Sequence, residues 1–210
     1  MMTFEEAANA CGIVAILRGV KPSEVLGIGD ALFAAGVRIV EVPLNSPDPF
    51  VSIAALADHF KGRMIVGAGT VLDTASVDNL KASGGTISVS PDCNPAVIAR
   101  TVAHGLVPLP GVFTPTEAFT ALRAGAKHLK LFPAEAANPV TVKAWKAVLP
   151  KHAGIYAVGG VTPGNMQAWA DAGCAGFGIG SNIYKPGKNA EDVGTSAAAF
   201  VAAWNALKRN

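Results

Sequence analysis

Short apolar runs rich in β-branched residues recur along the chain: 13–17 (IVAIL), 37–42 (VRIVEV), 64–67 (MIVG), 86–90 (TISVS), 106–109 (LVPL), 127–132 (KHLKLF), 155–158 (IYAV) and 176–180 (GFGIG). Between them lie Ala- and Leu-rich stretches with apolar residues at helical spacing, over 23–35, 50–60, 74–83, 95–104, 115–124, 140–149, 164–172 and 190–208. The runs are continuous rather than alternating, as expected of strands buried on both faces. Small-residue stops follow several helical stretches, at Ala35-Gly36, Ser83-Gly84, Gly105, Ala124-Gly125 and Ala172-Gly173. Glycine tolerates the left-handed backbone that ends a helix. A further short helix at 3–10 precedes the first run.

Eight strand-like runs, each followed by a helical stretch, predict a (β/α)8 TIM barrel with a short extra N-terminal helix, in one domain spanning 1–210. An open doubly wound sheet would need only five to seven strands. Half of the 210 residues are hydrophobic and 15% are charged, which suits a large core and little disorder. Net charge is +2 with no basic run, so a nucleic-acid footprint is not expected. The Lys208-Arg209 pair reads as a solvated helix end. Three scattered cysteines (Cys11, Cys93, Cys174) form neither a disulfide framework nor a zinc pattern, and fit a reducing cytoplasm. The start, MMTFEEAANACG, lacks the features of a secretory signal, and no apolar run reaches the roughly 18 residues of a membrane span.

Barrels of this kind carry their sites at the C-terminal ends of the strands. Unusual polar residues and Gly/Pro turns gather there: Arg18-Gly19, Glu41, Gly67-Ala68-Gly69-Thr70, Ser90-Pro91, Pro110-Gly111, Lys130 with Phe132-Pro133, Gly159-Gly160 and Gly180-Ser181. Lys130 interrupts a run suited to a buried strand, and alternation places His128, Lys130 and Phe132 on one face. Desolvation disfavours the charged amine, and a neutral amine attacks carbonyls to form a Schiff base. A structural lysine paired with a carboxylate is the bland alternative. Glu41 lies in the same way within an apolar strand. It suits a general acid or base acting through water, or else one half of a buried ion pair with Lys130.

The turns VGGVTPGN and GIGSN follow strands seven and eight, where barrels often bind phosphate through backbone N–H groups and a helix N-terminus; Thr162-Pro163 reads as such a helix start. Glycine turns also occur without any ligand. Arg18 could pair with a substrate carboxylate, or serve as a rim salt bridge. The four histidines (His59, His104, His128, His152) show no metal-ligand spacing, so the lysine route is expected to need no metal and no organic cofactor.

Together the stretches AILRG (15–19), VEVPLNSP (40–47), GAGTVL (67–72), SPDCNPAVI (90–98), PGVFTPTEAFTAL (110–122), LKLFPAE (129–135), AVGGVTP (157–163) and GIGSNIY (178–184) resemble the bacterial 2-keto-3-deoxy-6-phosphogluconate and 2-keto-3-deoxy-6-phosphogalactonate aldolases over nearly the whole chain. The resemblance implies Lys130 as the Schiff-base lysine and Glu41 as the general acid/base. It implies a phosphate site at Gly159, Gly160, Gly180 and Ser181, flanked by Val158 and Val161. Arg18, Thr70, Pro91 and Phe132 would surround the pyruvyl part, and a homotrimer is implied. Asn45 stands where the gluconate branch has an arginine, and Val158 where it commonly has threonine; both look like the galactonate branch. The implied reaction is cleavage of the phosphorylated galactonate to pyruvate and D-glyceraldehyde 3-phosphate. Alternatives are the gluconate epimer or both epimers, a phosphate-binding-barrel isomerase or decarboxylase, and a non-catalytic phospho-sugar-binding barrel.

Overall fold

The computed structural model describes residues 2–207; Lys208 and Arg209 lie outside the described residues. Among the described residues nine parallel strand segments form one sheet: β1 (Ile13–Ile16), β2 (Ile39–Pro43), β3 (Ile65–Gly69), β4 (Ile87–Val89), β5 (Val107–Leu109), β6 (Gly111–Val112), β7 (His128–Leu131), β8 (Gly154–Val158) and β9 (Gly176–Ile179). Their order is β5-β4-β3-β2-β1-β9-β8-β7-β6. The two ends of that order are halves of one chain run, interrupted at Pro110. Proline has no N–H to give to the ladder, so the run splits there: β5 pairs with β4, and β6 pairs with β7. Chain continuity through Pro110 thus joins the ends of the sheet. Eight runs close the expected barrel, and the fifth extends past 106–109 to Val112.

The helices follow the expected alternation: α2 (Val25–Ala35), α3 (Pro49–His59), α4 (Thr74–Ala82), α5 (Pro95–Ala103), α6 (Pro115–Arg123), α7 (Pro139–Lys146), α8 (Met166–Asp171) and α9 (Ala190–Ala206). Proline at the start of α3, α5, α6 and α7 fits the first turn, where its missing N–H costs nothing. The expected start at Thr162-Pro163 is instead a turn, closed by Asn165 N donating to the Thr162 carbonyl, and α8 begins at Met166. A helix of only six residues, set back from Gly160, adds little dipole at the glycines.

A short helix, α1 (Phe4–Ala10), comes first, with a Thr3–Glu6 capping box. Its Phe4 and Ala7 enter a separate apolar cluster with Val14, Ile39, Ile65, Ile87, Val89, Leu109 and Tyr156. Alternation along β1, β2, β3 and β4 turns these residues into the barrel. The Phe4 ring lies 4.6 Å from His128 and 5.9 Å from Tyr156. The helix therefore plugs the N-terminal end of the barrel, leaving the mouth at the opposite end.

Inner-face glycines on β3 make this packing possible. A Cβ on Gly67 would overlap the Ile87 carbonyl oxygen, a backbone atom that cannot swing aside. Gly67→Ala should therefore destabilise the barrel by about 3 kcal/mol, as overpacking a tight core does. Urea unfolding checks this, and a change below about 0.5 kcal/mol would contradict it.

Candidate active site

Lys130 is fixed by its strand. Its N–H donates to the Pro110 carbonyl at 2.8 Å, and it pairs in register with Gly111 and Tyr156. Its side chain is 6% exposed, with Nζ 4.5 Å from the centre of the Phe132 ring. Burial holds the amine below its ordinary pKa; Glu41 opposes that shift and Arg18 adds to it. Glu41, on β2, is 2% exposed and pairs with Ile16 and Gly67. Burial pushes its carboxyl up to about 7, against the opposing pull of Lys130 and Arg18.

The two groups feel each other's charge without touching. Among the described residues no ion pair within 4.0 Å joins them, and Glu41 Oε2 is buried with no hydrogen-bond partner. A closed Lys130–Glu41 ion pair, the bland alternative, is thus not what the structure shows. Room for the carboxylate comes from Gly69, where a Cβ would overlap it.

Above Lys130 opens a cavity of about 450 Å³ at the C-terminal mouth. Of the expected residues, Arg18, Lys130, Phe132, Val158, Gly159, Gly160, Val161, Gly180 and Ser181 all line it. Gly159 (φ 107°) and Gly160 (φ 68°) hold left-handed backbone that a side chain would strain. Gly180 differs: its φ is not positive, and a Cβ there would meet only Ile16, at 3.9 Å. Packing does not demand glycine at 180; what its absent side chain leaves is open backbone facing the cavity. Asn182 Nδ2 donates to the Val161 carbonyl at 2.9 Å, which ties the turn after β9 to the turn after β8, and Asn165 Nδ2 donates to the Gly160 carbonyl at 3.0 Å within the latter.

Glu41, Thr70 and Pro91 lie outside the lining of that cavity. Glu41 sits in the barrel interior beside β3. Thr70 follows Gly69 directly and holds φ 58°, a costly conformation for a β-branched residue. It is held by flanking bonds: Leu44 N to the Gly69 carbonyl at 2.8 Å, and Val71 N to the Val89 carbonyl at 3.1 Å. Pro91 packs against Gly111, the register partner of Lys130. Neither residue lines the outer cavity: Thr70 follows the glycine that packs on Glu41, and Pro91 packs on the strand beside Lys130.

Sequence reading missed Glu135, Asn182, Tyr184, Lys185 and Pro186, which also line the cavity. Four of them directly follow Ser181, in a loop of ten residues before α9 begins. That length was the available signal. Tyr184 OH bonds Glu24 at 2.8 Å, and Lys188 Nζ bonds the Ile183 carbonyl at 2.8 Å, which pins the loop. Of the histidines, His59 ends α3 beside Asp30, His104 caps α5 beside Asp78, and His152 is exposed. His128 faces the barrel floor, its charged form disfavoured by burial. Among the described residues no three His, Cys, Asp or Glu side chains cluster as metal ligands.

Comparison with known proteins gives a consistent result. The family model for KDPG and KHG aldolases matches residues 4–195. A protein of Escherichia coli (strain K12) named 2-dehydro-3-deoxy-6-phosphogalactonate aldolase is 48% identical over 192 residues, covering 91% of this chain and 94% of its own. A solved structure described as native KDPGal superposes with a TM-score of 0.90 at 48% identity, covering 92% of this chain and 94% of the other. A designed cube-shaped protein cage, made by fusing symmetric oligomeric domains, superposes with a TM-score of 0.91 at 47% identity, covering 93% of this chain and 72% of the cage chain.

The buried carboxyl has a measurable cost. With its pKa at 4.5 when unfolded and about 7 when folded, the folded state binds more protons between those values. Stability contributed by the protonated form is full below 4.5 and falls as pH rises through 7. Glu41→Gln removes this dependence. Relative to the variant, the wild type should lose on the order of 2–3 kcal/mol between pH 5 and pH 8, measured by urea unfolding at both values. Parallel pH profiles would contradict the assignment.

Proposed function

The chain belongs to the KDPG and KHG aldolase family, and from that membership and the site geometry we propose that it cleaves 2-keto-3-deoxy-6-phosphogalactonate to pyruvate and D-glyceraldehyde 3-phosphate through a Schiff base on Lys130. The observation that carries this reading is a buried lysine held toward its neutral form. It lies near a buried carboxyl whose Oε2 has no hydrogen-bond partner, at the base of a cavity that leads to open glycine turns.

In the proposed scheme the Lys130 amine adds to the C2 carbonyl, and loss of water gives a protonated imine. Glu41, acting through water, takes the C4 hydroxyl proton. The C3–C4 bond then breaks: its electron pair flows to the imine and forms an enamine, while C4 leaves as the aldehyde carbon of glyceraldehyde 3-phosphate. A proton returns to C3, and water releases pyruvate and the free lysine. A carboxyl pushed up to about 7 suits both directions of proton transfer near neutral pH. The scheme calls for water but no metal or organic cofactor.

At the far end, the substrate phosphate is taken to lie on the backbone at Gly159, Gly160 and Gly180, with the Ser181 hydroxyl and with Val158 and Val161 alongside. Lys185 lines the same mouth and adds positive charge. Arg18 and the backbone near Thr70 and Pro91 would hold the carboxylate, with Phe132 beside the pyruvyl methyl. The galactonate epimer is favoured over the gluconate one by the 48% identical relative's name and by Val158 and Asn45. Gluconate-branch relatives match at about 31% identity.

The proposed assembly is a homotrimer, supported by the family resemblance and by the symmetric oligomeric domains named for the 47% identical cage chain. The proposed compartment is the cytoplasm, supported by three free cysteines. Among the described residues no helix is long and apolar enough to cross a membrane. Light scattering should give three times the 21.3 kDa of one chain; a monomer mass would remove the trimer.

Incubation with pyruvate and borohydride, followed by peptide mapping, should place one reduced adduct on Lys130. Lys130→Ala should fold, take up no adduct and lose turnover by at least about 10⁴-fold, as loss of a covalent nucleophile does. Near-normal turnover in that variant, or an adduct elsewhere, would overturn the scheme. Assay of both purified epimers decides the substrate.

A further inference from the structure

Arg18 presents an unusual arrangement for a cation at a barrel rim. It follows β1, lines the cavity beside Lys130, and is exposed. Among the described residues no carboxylate lies within 4.0 Å of it. What holds it is a neutral group: NH1 donates to Asn45 Oδ1 at 2.7 Å, from the segment after β2. The adjoining backbone is tied the same way, with Gly19 N donating to the buried Ser46 Oγ at 2.9 Å. Gly19 also sits at φ 83° with Pro186 packed against it, so the start of the Arg18–Gly19 turn is fixed from both sides.

The choice of a neutral tether has a physical consequence. A flexible arginine side chain gives up rotamer freedom when it binds, and a tether removes part of that loss beforehand. An Asp or Glu tether would do the same but would neutralise the guanidinium. An amide oxygen orients the group and leaves its full charge, and its remaining N–H donors, for an anion.

We propose that Asn45 is a positioning residue that holds the Arg18 guanidinium at the cavity, uncompensated, so that it binds the carboxylate of the keto acid condensing with Lys130. The proposal rests on the Schiff-base reading above. It assigns to Asn45 no contact with substrate; its effect passes through Arg18.

Two ketones separate carboxylate recognition from imine formation. Pyruvate carries the carboxylate and acetone does not, and both can be trapped on Lys130 by borohydride. Asn45→Asp keeps the shape and the acceptor oxygen but adds a negative charge against Arg18. It should lower the apparent second-order trapping constant for pyruvate by about tenfold and leave that for acetone within about twofold. Asn45→Ala, which frees Arg18 without neutralising it, should lower the pyruvate constant by about threefold. In an Arg18→Met background neither Asn45 change should have further effect.

Unchanged preference for pyruvate over acetone in both variants would overturn the proposal. So would an equal fall for both ketones, which marks a structural disturbance, or an undiminished Asn45→Asp effect in the Arg18→Met background, which marks direct repulsion of the substrate. Failure of the wild-type protein to trap pyruvate at all would instead sink the Schiff-base reading first, and this assignment with it.

Discussion

Two ionisable groups of opposite sign share the interior of one apolar barrel without touching. That constraint governs the rest of the structure. If Glu41 and Lys130 closed into an ion pair, each would stabilise the other's charged form. Kept apart, both are dominated by desolvation, which pushes the carboxyl up to about 7 and holds the amine below its ordinary range. The separation is built into the backbone. β2 and β7 are not neighbours in the sheet, and the glycine-lined inner face of β3 takes in the carboxylate.

The remainder of the fold supports that arrangement from both ends. Below, α1 fills the barrel floor with Phe4, which packs with Ile39, Ile65, Ile87 and Tyr156 in one buried apolar cluster. Above, the mouth is made of loops that hold one another: Arg18 to Asn45, Gly19 to Ser46, Asn182 to Val161, Tyr184 to Glu24. Each tether crosses between segments far apart in the chain. The cavity is therefore a property of several strand ends at once, in keeping with the proposed substrate, which carries a carboxylate at one end and a phosphate at the other.

Thr70 and Pro110 show how local backbone irregularity serves the same end. The left-handed conformation of Thr70 is costly for its side chain, and it falls next to Gly69, where the chain passes the Glu41 carboxylate. Pro110 splits the fifth strand, yet its carbonyl still accepts from the Lys130 N–H, so the interruption falls beside that buried lysine and leaves its strand in register.

Much of this was legible in the linear chain because its causes are local. Eight apolar runs separated by helical stretches follow from strands buried on both faces and helices that pack on them, and the barrel has that count. Lys130 and Glu41 stood out because a charge in a buried run is expensive wherever the run goes. The Gly159-Gly160 pair and the Gly180-Ser181 turn after the last two runs marked the mouth. Other features depended on which segments meet, and spacing does not encode that. The split at Pro110 depends on β5 and β6 finding different partners. Glu135, Lys185 and Pro186 enter the cavity only because their loops fold over it. The separation of Lys130 from Glu41, and the hold of Asn45 on Arg18, arise when closure of the barrel brings distant strand ends together. The sequence alone determined which residues could not rest comfortably in a core; only the tertiary structure decided which of them face one another, because that distance is set by strand order and barrel closure and not by position along the chain.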